Sequence, residues 1–259
     1  MNGSSFLQLG NNAFSQGDYA GALRYYQGAL EAVRGDPDRL ADLYGNIGNV
    51  YGAIGQVDRA IDCYKEAVLL LKRVEDYARL GVTYVNIGNL YADRGETDQA
   101  IHFYKQGVLL LEREGRWEDL AVVYGNFSMV LLKQSEFQSA LEYAEKGMAC
   151  AKRVNRSGLL AENSHRLAKA KGAMGKTEEA LRLSVLAYTL YSELRNESGC
   201  AAALYHQASL YEEKRDLERA IRCLEEVVAF DEKYGLPKLS ENKARLARLR
   251  AEENRFSRG

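Results

Sequence analysis

The stretch YGNIGNVYGAIGQVDRAIDCYKEAV, Tyr44 to Val68, returns 40 residues later as YVNIGNLYADRGETDQAIHFYKQGV, Tyr84 to Val108. A chemical site is built once. A duplication in register has an architectural cause: each copy is one brick that buries its apolar face against the next. Extending the alignment both ways finds the same alanine in six copies, Ala22, Ala60, Ala100, Ala140, Ala180 and Ala220, the first interval 38 residues and the others 40. Another small residue stands twelve positions before each: Gly10, Gly48, Gly88, Ser128, Ala168 and Ala208.

Within a copy the pattern is that of a helix hairpin. Tyr44, Ile47 and Tyr51 recur at helical spacing before a turn at Gly55, and Ala60, Ile61, Tyr64, Ala67 and Val68 mark one face of a second helix after it. The turn falls at Gly17, Gly55, Gly95 and Gly175, with Ser135 and Arg215 as exceptions. Small residues on both helices let the axes approach, and the large aromatics fill the space to the next hairpin. The tyrosines at these places are therefore core rather than a stacking platform. Asp36 followed by Pro37 reads as an N-cap and a first-turn proline.

These limits predict six repeats over residues 3–36, 37–75, 76–115, 116–155, 156–195 and 196–236. A further amphipathic helix and short tail occupy 237–259. It carries Leu239, Leu246 and Leu249 against Lys243, Arg245, Arg248 and Arg250. A repeat array needs a terminal element with a polar outer face, so the reading is a cap, with docking of an acidic partner as the alternative.

The order aromatic, small residue, tyrosine, alanine, aromatic, alanine resembles the tetratricopeptide repeat, and the likeness spans nearly the whole chain. The 40-residue period resembles the long-repeat branch that includes kinesin light chains and the Pins/LGN adaptors. The motif is strong in the first three copies. It weakens where Ala144, Ser184 and Leu224 stand in place of Tyr64, and where Lys171 stands in place of Tyr51. The resemblance implies an all-α, right-handed α-α superhelix whose concave side, lined by the first helix of each hairpin, binds a linear peptide segment of a partner protein.

On that helix two positions three apart give Gln8 and Asn11, Asn46 and Asn49, Asn86 and Asn89, then Asn126 and Met129. Three residues apart is one helix face, so stacked hairpins produce an asparagine ladder. A primary amide donates and accepts, which suits the backbone of a guest segment. Bonding between neighbouring helices is the competing use. Gly45, Gly52, Ala53, Ala92 and Gly125 keep that face low. Farther along, Lys133, then His165, Arg166 and Lys169, then Tyr205 and His206 replace the amides, which suits an extended or helical segment with an acidic end. The carboxylate clamp of some relatives is missing, because Leu7 and Val85 occupy its lysine positions.

The remaining chemistry is mostly excluded. With 35 basic and 36 acidic residues, bulk attraction to nucleic acid or an anionic membrane is not expected. No apolar run is long enough to insert in a bilayer. Cys63, Cys150, Cys200 and Cys223 lack metal-ligand spacing and read as reduced thiols of a cytoplasmic protein. The stretch AKAKGAMGKT, Ala168 to Thr177, is a near-miss to a phosphate-binding loop, but Ala170 replaces its first glycine and a helix precedes it. No cofactor, metal or catalytic residue is expected. The reading is a non-enzymatic scaffold or adaptor. Self-assembly into a homo-oligomer, or a signalling regulator that senses a short peptide or small molecule, are the alternatives.

Overall fold

The computed structural model describes residues 3–256, and among them every regular element is an α-helix. The helices are α1 (Gly3–Ser15), α2 (Tyr19–Ala32), α3 (Pro37–Ala53), α4 (Val57–Arg73), α5 (Tyr77–Asp93), α6 (Thr97–Arg113), α7 (Trp117–Lys133), α8 (Phe137–Val154), α9 (Ser157–Ala173), α10 (Thr177–Glu193), α11 (Glu197–Glu213), α12 (Leu217–Tyr234) and α13 (Leu239–Phe256). Two compact units divide the chain, residues 1–123 and 124–259, the division falling inside α7. In the first, α1 pairs with α2, α3 with α4 and α5 with α6. In the second, α9 pairs with α10, α11 with α12, and α13 lies on α12.

Helix starts follow local chemistry. The side chains of Asp36, Asp76, Asn196 and Asp216 each accept a hydrogen bond from the backbone N–H three residues on, satisfying donors the first turn leaves unpaired. Helix ends show a regularity that glycine spotting only half reveals. From Gly35 to Gly235 a residue with positive φ recurs every 20 positions. The 40-residue repeat is thus two nearly equal helices, each closed by a left-handed turn. The next N–H bonds back to a carbonyl five residues earlier, Gln56 to Tyr51 at 2.8 Å and Glu136 to Leu131 at 3.0 Å. Because that pattern spans the turn, Ser135 and Arg215 adopt it at φ 61° and 59°, as do Glu75, Asn155 and Arg195. A side chain there costs about 1 kcal/mol of backbone strain. Ser135→Gly is therefore expected to stabilise the protein by about 0.5 kcal/mol after glycine's extra entropy cost, and Gly55→Ala to destabilise it by about 1 kcal/mol. The shift of the urea midpoint checks both signs.

Packing inside the hairpins explains why the repeat signature changes halfway. In the first unit Gly10, Gly48 and Gly88 lie against the rings of Tyr26, Tyr64 and Tyr104. A methyl on any of them would come within 2.4–2.8 Å of the ring. Where the second helix carries Ala144, Ser184 or Leu224 instead, the facing position enlarges to Ser128, Ala168 or Ala208, and all six are fully buried. Leu224 with Ala208 keeps close to the volume of the tyrosine–glycine pair, whereas Ala144 with Ser128 and Ser184 with Ala168 are smaller. Ser128 Oγ donates to the Ala140 carbonyl at 2.7 Å, and Phe127 stacks on Tyr143 at 4.1 Å beside it.

The last helix is tied down on both faces. Leu246 and Leu249 are buried with Leu224, Val227 and Val228. Its basic residues meet acids of the preceding hairpin: Arg245 and Arg248 hold the two oxygens of Glu212 at 2.6 and 3.0 Å, Arg250 holds Glu225 at 2.6 Å, and Lys243 lies 2.7 Å from Glu232.

Candidate functional site

The first helices of the hairpins carry the chemistry that packing does not consume. In the first unit these are α1, α3 and α5. Asn11, Asn49 and Asn89 accept a hydrogen bond on Oδ1 from Tyr26, Tyr64 and Tyr104 at 2.7, 2.6 and 2.8 Å. Each bond spans 15 residues and joins the two helices of one hairpin, so the bonding of neighbouring helices that competed with ligand binding is present on the acceptor side. It also fixes the amide, because an occupied oxygen leaves only the NH2 group to turn outward. Asn46 Nδ2 approaches Asn11 Oδ1 at 3.5 Å, linking α3 to α1. Asn46 and Asn86 are half-buried and donate to no tyrosine. The floor at Gly45 is open, with nothing within 4 Å of where a side chain would begin.

The face is braced beside the amides. Arg79 on α5 bonds Asp42 at 2.7 Å and Asp76 at 2.8 Å and also pairs with Asp38, so one guanidinium ties α5 to α3 and to its own cap. These carboxylates hold the Arg79 proton firmly, raising its pKa against the opposing effect of burial, and Arg79 in turn, through its backbone N–H and its guanidinium, lowers that of Asp76 against burial.

In the second unit the predicted residues separate into different environments. Asn126 accepts from Arg166 Nη2 at 3.0 Å, while Arg166 Nη1 bonds Glu162 at 3.0 Å. The Arg166 side chain lies across Gly125, where an added methyl would sit 2.6 Å from its Cδ. The small residue that was read as floor is thus roofed by an arginine. Lys133 is exposed on the last turn of α7. His165 on α9 and His206 on α11 meet edge to face, ring centroids 5.8 Å apart. His165 is only 9% exposed, and Nδ1 of both rings is buried with no hydrogen-bond partner. Burial and the neighbouring Lys169 lower both, His165 to about 3 and His206 to about 4, so both are neutral near pH 7. Lys169 stands beside them, its pKa lowered by burial and by Arg166 and Lys238. Two cations lie over the Tyr205 ring, Arg245 at 4.8 Å and Lys238 at 5.8 Å from its centroid.

Sequence reasoning missed the tyrosine partners of the ladder, although Tyr26, Tyr64 and Tyr104 each stand 15 residues after an asparagine. It also missed Asp231, which stands where the earlier repeats have Leu71, Leu111, Ala151 and Tyr191, and Lys238 and Asn242, which lie after the last repeat. Among the described residues no group of three or more His, Cys, Asp or Glu side chains could hold a metal, and no helix is long and apolar enough to cross a membrane. All four cysteines are free thiols. The glycine-rich AKAKGAMGKT stretch is the end of α9 and the left-handed turn at Gly175.

A family model described as the MalT-like TPR region matches residues 10–257. No curated protein sequence matches the chain. Among solved structures, BtubC (BKLC) from P. vanneervenii is 18% identical with a TM-score of 0.70, and the match covers 91% of each chain. The signal transduction ATPase with a tetratricopeptide repeat sensor from Pyrococcus horikoshii is 15% identical with a TM-score of 0.82. That match covers 97% of this chain and 39% of the longer protein. The Rap conjugation gene regulator of plasmid pLS20, solved in complex with a Phr peptide, is 18% identical with a TM-score of 0.65, covering 97% of this chain and 74% of the regulator. At these identities the likeness is one of fold.

Proposed function

We propose, from the premise that this chain belongs to the MalT-like TPR family, that it is a cytoplasmic scaffold of the long-repeat, kinesin-light-chain type. In this reading it binds a linear segment of another protein along the first helices of its hairpins. The observation that carries the reading is the triplicated tyrosine–asparagine bond of the first unit. A hydrogen bond that merely closed a hairpin would be served by any acceptor, and a carbonyl or carboxylate would do. An amide whose oxygen is pinned presents N–H donors in a fixed direction, as at Asn11 on α1 and Asn49 on α3, and the bond itself recurs on α5. Donors repeated at the spacing of the hairpins suit the carbonyls of an extended or helical guest chain, and fixing them beforehand reduces the entropy lost on binding. The Phr peptide held by the pLS20 regulator gives this reading a precedent in a protein of the same fold.

A display library of linear peptides panned on the immobilised protein tests it. Wild type is expected to enrich a common motif. The Asn46→Ala, Asn86→Ala double variant spares the tyrosine bonds and should retain its melting temperature. It is expected to lose about five- to 150-fold in affinity for that motif, because two hydrogen bonds contribute about 1–3 kcal/mol together. Enrichment of no motif removes the amide face as the binding surface, and a motif bound equally by the variant removes Asn46 and Asn86 from it.

A further inference from the structure

The second unit holds a cavity of about 550 Å³ between α11, the end of α12 and the start of α13. Its walls are mainly apolar: Ala201, Ala202, Val227, Phe230, Leu236 and Pro237. That size and lining are typical of sites for small molecules. Two lysines reach it, Lys169 from α9 and Lys238 from the connection before α13. Among the described residues Lys169 makes no hydrogen bond or ion pair, although it is half-buried.

An ammonium group withdrawn from water without a counter-charge is costly, and folded proteins normally pair it. Among the described residues Lys238 likewise has no ion pair and lies 5.8 Å from the Tyr205 ring centroid, whereas the arginines nearby are already occupied. Arg166 is held by Glu162 and Asn126, and Arg245 by Glu212. The one acid in the cavity wall, Asp231, is 5% exposed and takes its hydrogen bond from Asn242 Nδ2 at 2.7 Å. His206 is neutral. What faces the cavity is therefore an apolar surface with an uncompensated positive charge at one side.

We propose that this cavity binds a small amphiphilic monocarboxylate, its carboxylate on Lys169 Nζ and its apolar body along Ala201, Val227 and Phe230. A single negative charge fits better than a phosphate. Asp231, buried in the same wall, would oppose a doubly charged group more strongly than a singly charged one. The inference draws on the second unit alone and stands or falls independently of the amide face on α1, α3 and α5.

Calorimetric titration of the full chain with decanoate, below its aggregation threshold, is the test, with decanol as the uncharged control. Decanoate is expected to bind with one-to-one stoichiometry, and decanol at least about tenfold more weakly, the usual margin of a hydrogen bond to a charged group. Lys169→Met should erase that difference while melting no lower than wild type, since it removes an unpaired buried charge. Ala202→Trp, which fills the cavity and leaves Lys169 in place, should abolish binding of both. An acetylated alanine tetrapeptide ending in leucine offers the same carboxylate on a peptide and is expected to bind at least about tenfold more weakly than decanoate. Decanol binding as tightly as decanoate to wild type, a decanoate preference that persists in Lys169→Met, decanoate binding that survives Ala202→Trp, or no binding at all overturns the proposal. So does a peptide that binds as well as decanoate, which would assign the cavity to chain ends instead.

Discussion

Replacing Tyr104 by alanine is expected to cost about 3–5 kcal/mol of stability, the range for deleting a large buried aromatic side chain. The ring is 1% exposed and covers Gly88, which has no side chain to move into the void. Ala100, fully buried in the turn before it on α6, cannot fill the space either. Tyr104→Phe keeps the ring and removes the hydroxyl that bonds Asn89, so its cost should be about 1 kcal/mol. Urea denaturation of the three proteins separates the two contributions. Similar losses in both variants would mean that the hydroxyl, and not the close fit of ring on glycine, holds the hairpin. The comparison matters for function, because Asn89 then loses the partner that fixes it while the hairpin itself persists.

Acid is expected to weaken the second unit through His165 and His206. Both fold as neutral rings whose pKa values lie near 3 and 4, below the ordinary histidine value of about 6.5. The folded state therefore binds fewer protons than the unfolded chain between those limits. Stability is full above about pH 6.5, declines as pH falls through the window, and levels off once the folded rings are protonated. At pH 5 the loss should be about 2 kcal/mol for each ring. Lys169 and Arg166 beside His165, and Lys169 beside His206, oppose the incoming protons. Denaturation midpoints at pH 7.5 and pH 5, compared with a His165→Gln, His206→Gln double variant, give the measurement. The variant should show a much flatter pH dependence. An equally steep decline in the variant would remove the two rings as its cause, and carboxylates with lowered pKa, such as Asp76 and Glu197, stay ionised over this range and do not contribute to it.

The family and the hairpins were legible because both are written in local periodicity. Ala60 and Ala100, or Gly48 and Gly88, occupy the same place in successive turns, and a helix repeats that place faithfully. The cap at Asp36 with Pro37 beginning α3 was legible for the same reason, since it involves four consecutive residues. The left-handed turns were legible at Gly55 or Gly95 but not at Ser135, Arg195 or Arg215. There the backbone bond across the turn imposes the conformation, and the side chain only tolerates it.

Of the candidate site, the asparagine ladder could be read from its spacing of three on one helix face. Its chemistry could not, since whether an amide faces a guest or a tyrosine depends on the second helix of the hairpin. The basic residues were harder still. Arg166, Lys169, Arg245 and Arg248 look alike in sequence, yet Arg166 lies over Gly125, Arg245 and Arg248 share Glu212, and Lys169 alone is left unpaired at a cavity. By itself, then, the sequence determined the helices, their pairing into hairpins and the faces they bury, because those follow from the 3.6-residue period within one short segment. Tertiary structure decided which charges are neutralised and which donors remain. Their partners stand 33 to 40 residues away, and a helix packed against its neighbour brings them within reach only at one relative rotation.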